Sequence, residues 1–167
     1  MLLDFDGKTP ALGQRVYVAP NATLIGDVTL GDDASVWFQT VLRGDGLPIR
    51  VGARTNVQDL VMVHVTSGGH GATIGDDVTI GHRAIIHACT VGNRCLIGMG
   101  AILLDGSVIG DESIVGAGAV VPAGMQVPPR SLVLGMPAQV KRSLTDRDLE
   151  TIDTLGRNYL KLKDRYR

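Results

Sequence analysis

Aliphatic residues recur every six positions along most of the chain, usually with glycine next: Ile74-Gly75, Ile80-Gly81, Val91-Gly92, Ile97-Gly98, Ile109-Gly110 and Val115-Gly116, then Val121-Pro122. The register extends backwards through Leu30, Val36 and Leu42, then Val51, Val57 and Val63, with one spacing of five between Ile86 and Val91. A period of six is the signature of a hexapeptide β-helix, in which each hexad is a short strand and a turn with its aliphatic side chain pointing inward. Three hexads close one triangular coil, and a coil cannot bury its inner face without neighbours above and below. The pattern predicts an all-β solenoid over residues 1–135, with the glycines easing the corners.

Two places break the rhythm, and insertions in a solenoid emerge at a corner as loops without disturbing the stack. They are Gly44 to Pro48, just after Arg43, and Val65 to Thr73, just after His64, both on the same side of the prism. The repeat fades after Val127 into a proline-rich exit, and residues 136–167 are predicted as an exit segment and C-terminal α-helix of the same domain. Thr145 and Asp148 have the spacing of a capping box, and Leu149, Ile152, Tyr159 and Leu162 form a broken apolar stripe for packing on the coils. Gly156 weakens that helix.

Residues in the same register on successive coils stack about 4.8 Å apart, so the hexads also place the polar residues. On the third face, one position beyond the inward residues, Arg43, His64 and His87 form a column, and the two stacked imidazoles are a ready pair of metal ligands. On the second face His82 stands above Asp59 and beside Gln58. That face is separate, so one chain does not readily bring His82 within the reach that shared coordination requires. A metal bound by all three histidines therefore implies a second subunit, and triangular solenoids pack about a threefold axis in ring-closing contacts. His70, out of register in a glycine-rich stretch, reads as a loop histidine.

Composition narrows the partners. The net charge of −1 gives no basic footprint for nucleic acid or anionic lipid. No apolar run is long enough to span a bilayer, and the N-terminal segment lacks the pattern of a signal peptide. A soluble, cytoplasmic protein is expected. Cys89 and Cys95, without a CxxC spacing, read as reduced thiols, Cys89 as a small buried hydrophobe. The 22 glycines and few aromatics point away from a mixed aromatic core.

The segments VLRGDGLPIRVG, RTNVQDLVMVHV, IGHRAIIHACTVGNRCLIGMGAILLDG, LGMPAQVKR and RNYLKLKDRY resemble the gamma-class carbonic anhydrase family, in its bacterial branch of short hexapeptide-repeat proteins. The resemblance implies a left-handed parallel β-helix and a homotrimer with zinc, or another divalent metal such as iron or cobalt, at each subunit interface. It places His64 and His87 on one chain and His82 on the next. It also implies that Arg43 and Asp45 form an ion pair between subunits, that Gln58 and Asp59 orient the metal-bound water, and that Tyr159 is a polar group near the metal. The sequence departs from the founding type at Gly46, where that type is acidic, and in VTSGGHGAT, which replaces the acidic loop carrying a proton shuttle.

Three neutral imidazoles leave a metal position open for water, and zinc brings that water's pKa to about 7, so the expected chemistry is reversible hydration of carbon dioxide to bicarbonate. Two other classes compete. Hexapeptide β-helices also carry acyltransferases that bind coenzyme A between subunits with one histidine as base, and a metal site could hydrolyse a thioester. A metal-binding scaffold with little catalysis is the third reading. The histidine triad favours the first class, because acyl transfer needs one base and no metal.

Overall fold

The computed structural model describes residues 1–166, so the last residue of the predicted exit segment, 167, lies outside the described residues. The chain is a left-handed parallel β-helix of about seven turns with one C-terminal helix. Strands stack in register from coil to coil. On the second face Val36 pairs with Val57, Val57 with Ile80, Ile80 with Ile97, Ile97 with Val115 and Val115 with Val133. That face is an eight-stranded sheet, and the other two faces merge into a twelve-stranded one. The core is three vertical columns of buried aliphatic residues, one per face. Among the described residues, no helix is long and apolar enough to cross a membrane.

The corners are made differently from the sequence expectation. The glycine following each inward aliphatic does not turn the chain; the residue two positions later does. Asp33, Arg54, Asp77, Arg94, Glu112 and Arg130 each stand three residues past the first-face aliphatic and take φ between 52° and 60°. The glycines are needed because successive coils touch at that point. A Cβ on Gly31 would lie 2.6 Å from the Ala53 nitrogen and 2.8 Å from the Gly52 carbonyl carbon.

Two further expectations are corrected. The Gly44–Pro48 insertion is not a separate loop but the middle of the strand Val41–Val51, which crosses a corner beside the strand Thr23–Leu30. Gly26 pairs with Gly44 and Val28 with Ile49, so four residues of one strand stand opposite Asp27 alone. The coils also continue past Val127 to Val133, because Pro128 and Pro129 precede Arg130 in an ordinary corner, and the antiparallel strands Ser131–Gly135 and Ala138–Ser143 then cover the open sheet edge. The C-terminal helix runs unbroken over Asp146–Tyr166, with Gly156 inside it. The capping box forms as expected: Asp148 Oδ2 accepts from the Thr145 N–H at 2.8 Å and Thr145 Oγ1 accepts from the Asp148 N–H at 3.3 Å.

The first corner holds the helix in place. Arg15, Asp33, Arg54, Asp77, Arg94, Glu112 and Arg130 occupy it on successive coils, an alternating ladder of charge. Arg15 pairs with Asp33 and Arg54 with Asp77, each at 2.6 Å. Three helix residues join the ladder: Asp146 lies 3.7 Å from Arg130, Asp153 takes Arg94 Nε and Nη2 at 2.8 and 2.9 Å, and buried Lys163 reaches Asp33 at 3.1 Å. The periods match. At about 1.5 Å per helical residue, these three are spaced by about 10 and 15 Å, while the ladder partners are two and three coils of about 4.8 Å apart.

The glycine geometry predicts opposite signs for two substitutions. Gly31→Ala drives a methyl into the next coil's backbone and should destabilise by about 2 kcal/mol, whereas Gly156→Ala, with open space around its Cβ, should stabilise by about 0.5–1 kcal/mol. Urea midpoints measure both. The ladder predicts an acid limb. The Arg15 hydrogen bond, opposed by burial and reinforced by Lys163, holds the Asp33 carboxyl at about 2. Its ordinary value in an unfolded chain is about 3.9. A depressed folded value gives stability that is complete above the unfolded value and lost as pH falls toward 2. Asp33→Asn should therefore flatten the urea midpoint against pH between about 2 and 5.

Candidate metal centre

Strand alternation turns both column histidines outward. In Met62–His64 and Ile85–His87 the middle residues Val63 and Ile86 are fully buried, so His64 and His87 project from the third face. Register then stacks them: Arg43 pairs with His64, and His64 with His87. The ring centroids are 5.3 Å apart, and His64 Nδ1 faces His87 Nε2 at 3.3 Å. His82 sits at the turn between the second and third faces. Among the described residues of the single chain, no three His, Cys, Asp or Glu side chains converge on a point that could hold a metal.

Each of the three imidazoles has a carboxylate on one ring nitrogen. His64 Nε2 meets Asp45 Oδ1 at 3.2 Å, His82 Nδ1 meets Asp59 Oδ2 at 2.8 Å, and His87 Nδ1 meets Asp105 Oδ1 at 2.5 Å. Burial raises the Asp45 carboxyl, but hydrogen bonds from Arg43 and His64 outweigh it and hold the group below its ordinary range. Arg43 pairs with Asp45 within the chain. The Asp105 carboxyl is held low chiefly by the Thr66 hydroxyl and then by His87.

Gln58 and Asp59 are both engaged by hydrogen bonds within their own chain. Gln58 is buried with both ends of its amide engaged: Oε1 accepts from the His82 N–H at 3.2 Å and Nε2 donates to Asn56 Oδ1 at 3.1 Å. Asn56 in turn donates to Thr79 at 2.8 Å. Asp59 Oδ1 accepts from the Phe38 N–H at 3.1 Å, leaving Oδ2 to His82. The helix brings Tyr159 to the same place, its hydroxyl 3.4 Å from His82 Nε2 and its ring edge-on to Trp37 at 5.3 Å. Burial and then the nearby Asp59 charge push the Tyr159 hydroxyl up. Five of the six aromatic residues, Tyr17, Trp37, Phe38, Tyr159 and Tyr166, gather here. A cleft of about 300 Å³ between helix and second face opens beside His82, with Leu96, Met99, Ala117 and Leu155 on its walls.

Sequence reasoning missed Asp105, Thr66 and Asn56. Asp105 stands one position past Leu104, the apolar residue above His87, and so lies outside the column that the register picked out. Cys89 and Cys95 are free, and burial pushes both thiols up to about 12. His70 lies in the loop after His64 with its ring over Gly106.

Residues 88–123 match the family of bacterial transferase hexapeptides, a model of six repeats. A carbonic anhydrase of Geobacillus kaustophilus is 40% identical over 167 residues, all of this chain and 91% of that protein. The structure of a hexapeptide transferase family protein from Anaplasma phagocytophilum superposes with a TM-score of 0.95 at 38% identity, covering 100% of this chain and 98% of that one. A hexapeptide-repeat acetyltransferase of Vibrio cholerae, solved with acetyl coenzyme A, gives a TM-score of 0.60 at 28% identity over 70% and 71% of the two chains. With these similarities over its full length, the chain belongs to the gamma-class carbonic anhydrase-like family of hexapeptide-repeat proteins.

Proposed function

We propose that the protein is a metal-dependent carbonic anhydrase-like lyase, a homotrimer in which His64 and His87 of one subunit and His82 of the partner subunit hold one divalent metal, zinc in the first instance. The observation that carries this reading is the face-to-face pair of ring nitrogens 3.3 Å apart on His64 and His87, each imidazole with a carboxylate behind it. Two nitrogens bound to tetrahedral zinc at 2.0–2.1 Å are about 3.3 Å apart, so the pair fits an edge of the coordination tetrahedron. Relatives named as carbonic anhydrases imply a metal in general. A subunit contact has support of its own: the outward residues beside the histidine column are Val41, Met62, Ile85, Ile102 and Val120, an apolar row in which Met62 and Ile85 are each 37% exposed. Such rows mark surfaces that another molecule covers.

Zinc in this donor set would supply Lewis acidity sufficient to bring the pKa of a coordinated water to about 7. The chain's own residues do the orienting. Asp59 holds His82 Nδ1, which leaves Nε2 as the ring nitrogen for a metal, and Gln58 fixes the backbone from which His82 projects. The Tyr159 hydroxyl, 3.4 Å from that nitrogen, would lie beside the metal, where a carbon dioxide or bicarbonate oxygen would meet it. On assembly, the Arg43–Asp45 pair within the chain would be exchanged for the same pair across the interface. Carbon dioxide and water give bicarbonate and a proton, and with no acidic side chain in VTSGGHGAT the proton would leave to external buffer. A second reading, acyl transfer or thioester hydrolysis on a coenzyme A ester, rests on the apolar cleft beside His82 and on the fold shared with a coenzyme A-bound acetyltransferase; acyl transfer requires no metal.

Purified without chelators, the protein should carry close to one metal per chain, and stopped-flow assays should show carbon dioxide hydration that rises with buffer concentration. His87→Ala should lose most of the metal and all of the hydration. Metal content unchanged in that variant refutes the ligand assignment, and acyl transfer by metal-free protein favours the second reading.

The shared site has a separate test. His82→Ala and the double variant His64→Ala, His87→Ala each lack a complete site; refolded together at equal amounts, about three quarters of trimers are mixed, each with one restored junction in three. Roughly a quarter of all sites should then regain metal. No recovery, with subunit exchange verified by native mass spectrometry, means that the site is not shared.

A further inference from the structure

Two of the three irregularities of the repeat meet at His87. The insertion Val65–Thr73 lengthens one corner, and the next coil is shortened at the same corner, where the spacing from Ile86 to Val91 is five and Ala88 takes φ of 45° two residues past the inward aliphatic. The shortened corner lets the longer loop below it pass upward to the coil beyond. Thr66 Oγ1 donates to Asp105 Oδ2, and the His70 ring lies over Gly106, although Ala88 separates the two coils in the stack: the Ala88 N–H donates to the His64 carbonyl, and the Ala88 carbonyl accepts from the Gly106 N–H. Asp105 is thereby held from one side by Thr66, while its other oxygen takes His87 Nδ1 at 2.5 Å.

We infer that Asp105, fixed by Thr66, is a positioning residue for His87: it binds the proton-bearing Nδ1, so that Nε2 carries the lone pair and points at His64. The inference rests on the metal site proposed above and deepens it. A neutral imidazole has one N–H and one free lone pair, and the partner of the N–H decides which nitrogen is free. Carboxylates in this relation to a ligand histidine fix the ring's tautomer and orientation and raise its basicity. Of the three carboxylates beside the histidines, Asp45 lies in one insertion and is held by Arg43, Asp59 stands in a regular hexad, and Asp105 is secured by a side chain from the other insertion, Thr66. Regular hexads would bring neither Thr66 nor a lengthened corner to it. The irregular corner thus has a purpose in the site: it converts one imidazole of a stacked pair into a ligand with a defined donor atom.

The test measures zinc affinity by competition with a chromophoric chelator and the visible spectrum of the cobalt-substituted protein, on the wild type, Asp105→Ala, Asp105→Asn, Thr66→Val and His87→Ala. Asp105→Ala should bind zinc about 10–100-fold more weakly with an altered cobalt band. Asp105→Asn keeps an acceptor for the Nδ1 proton and should recover most of the affinity. Thr66→Val frees the carboxylate without removing it and should fall between the wild type and Asp105→Ala. If Asp105→Ala proves misfolded by circular dichroism, the Asn and Val variants decide. Wild-type affinity and an unchanged cobalt spectrum in Asp105→Ala, or in Thr66→Val where Asp105→Ala misfolds, overturn the inference and leave the metal site standing, provided His87→Ala loses zinc. A wild type that binds no zinc overturns both.

Discussion

Parallel coils stacked in register, about 4.8 Å apart, determine where every outward side chain of this protein can stand. Once the inward columns are filled by aliphatic residues, each remaining position of a hexad generates its own column on the surface, and residues some twenty positions apart in sequence become neighbours. The Arg43–His64–His87 column, the His82–Asp59 pair and the alternating Arg/Asp ladder that receives the helix are three consequences of the same spacing. None of them requires a specific loop. The close approach of coils explains why glycine follows the aliphatic so often: at Gly31 even a methyl would overlap the backbone above.

Much of this is legible in the periodicity of the sequence. The faces, the stacking of His64 on His87 and of His82 on Asp59 follow from counting in sixes, because register is the only information needed. What counting could not supply was conformation within the hexad. The corner falls to residues such as Arg54, Arg94 and Leu60, with φ of 57°, 52° and 63°, types that ordinarily avoid the left-handed region; stacking holds them there, and sequence preference pointed to the glycines instead. The prolines after Val127 misled for the same reason, since they occupy a corner already made by its neighbours. Tyr159 was placed by resemblance alone, and its route to His82 depends on the helix register, which the sequence does not show without the ladder.

The helix links the ladder to the candidate site. Asp146, Asp153 and Lys163 match coils of the first corner because seven and ten helical residues span nearly the same distances as two and three coils. That match leaves little freedom to slide along the prism, and it sets Tyr159 between Asp153 and Lys163 at the height of His82 and Trp37. Lys163, almost fully buried, makes a slipped register costly, because a shift of one turn would take its ammonium from Asp33 and leave it only Asp164 on its own helix. The position of a polar group near the histidines is thus governed by ion pairs on a different corner.

The same stacking limits what one chain can do. A column supplies donors in a straight line at intervals of about 4.8 Å, and neighbouring rings can tilt their nitrogens to 3.3 Å, as His64 and His87 do. A third imidazole in that column would start about 10 Å from the first, too far to complete a tetrahedron whose edges are about 3.3 Å. Positions two residues along the strand are about 6.5 Å away and lie in a parallel column, so they do not converge either. A regular solenoid can therefore offer two ligands from a face and must take the third from outside it. His82 is carried at another corner, where Asp59, Gln58 and Tyr159 hold it, and in the proposed site it would be that outside ligand for a neighbouring copy. A site built from all three histidines, as proposed above, would therefore need a second copy, and the exposed apolar row of Met62 and Ile85 beside the column is a surface such a copy would cover.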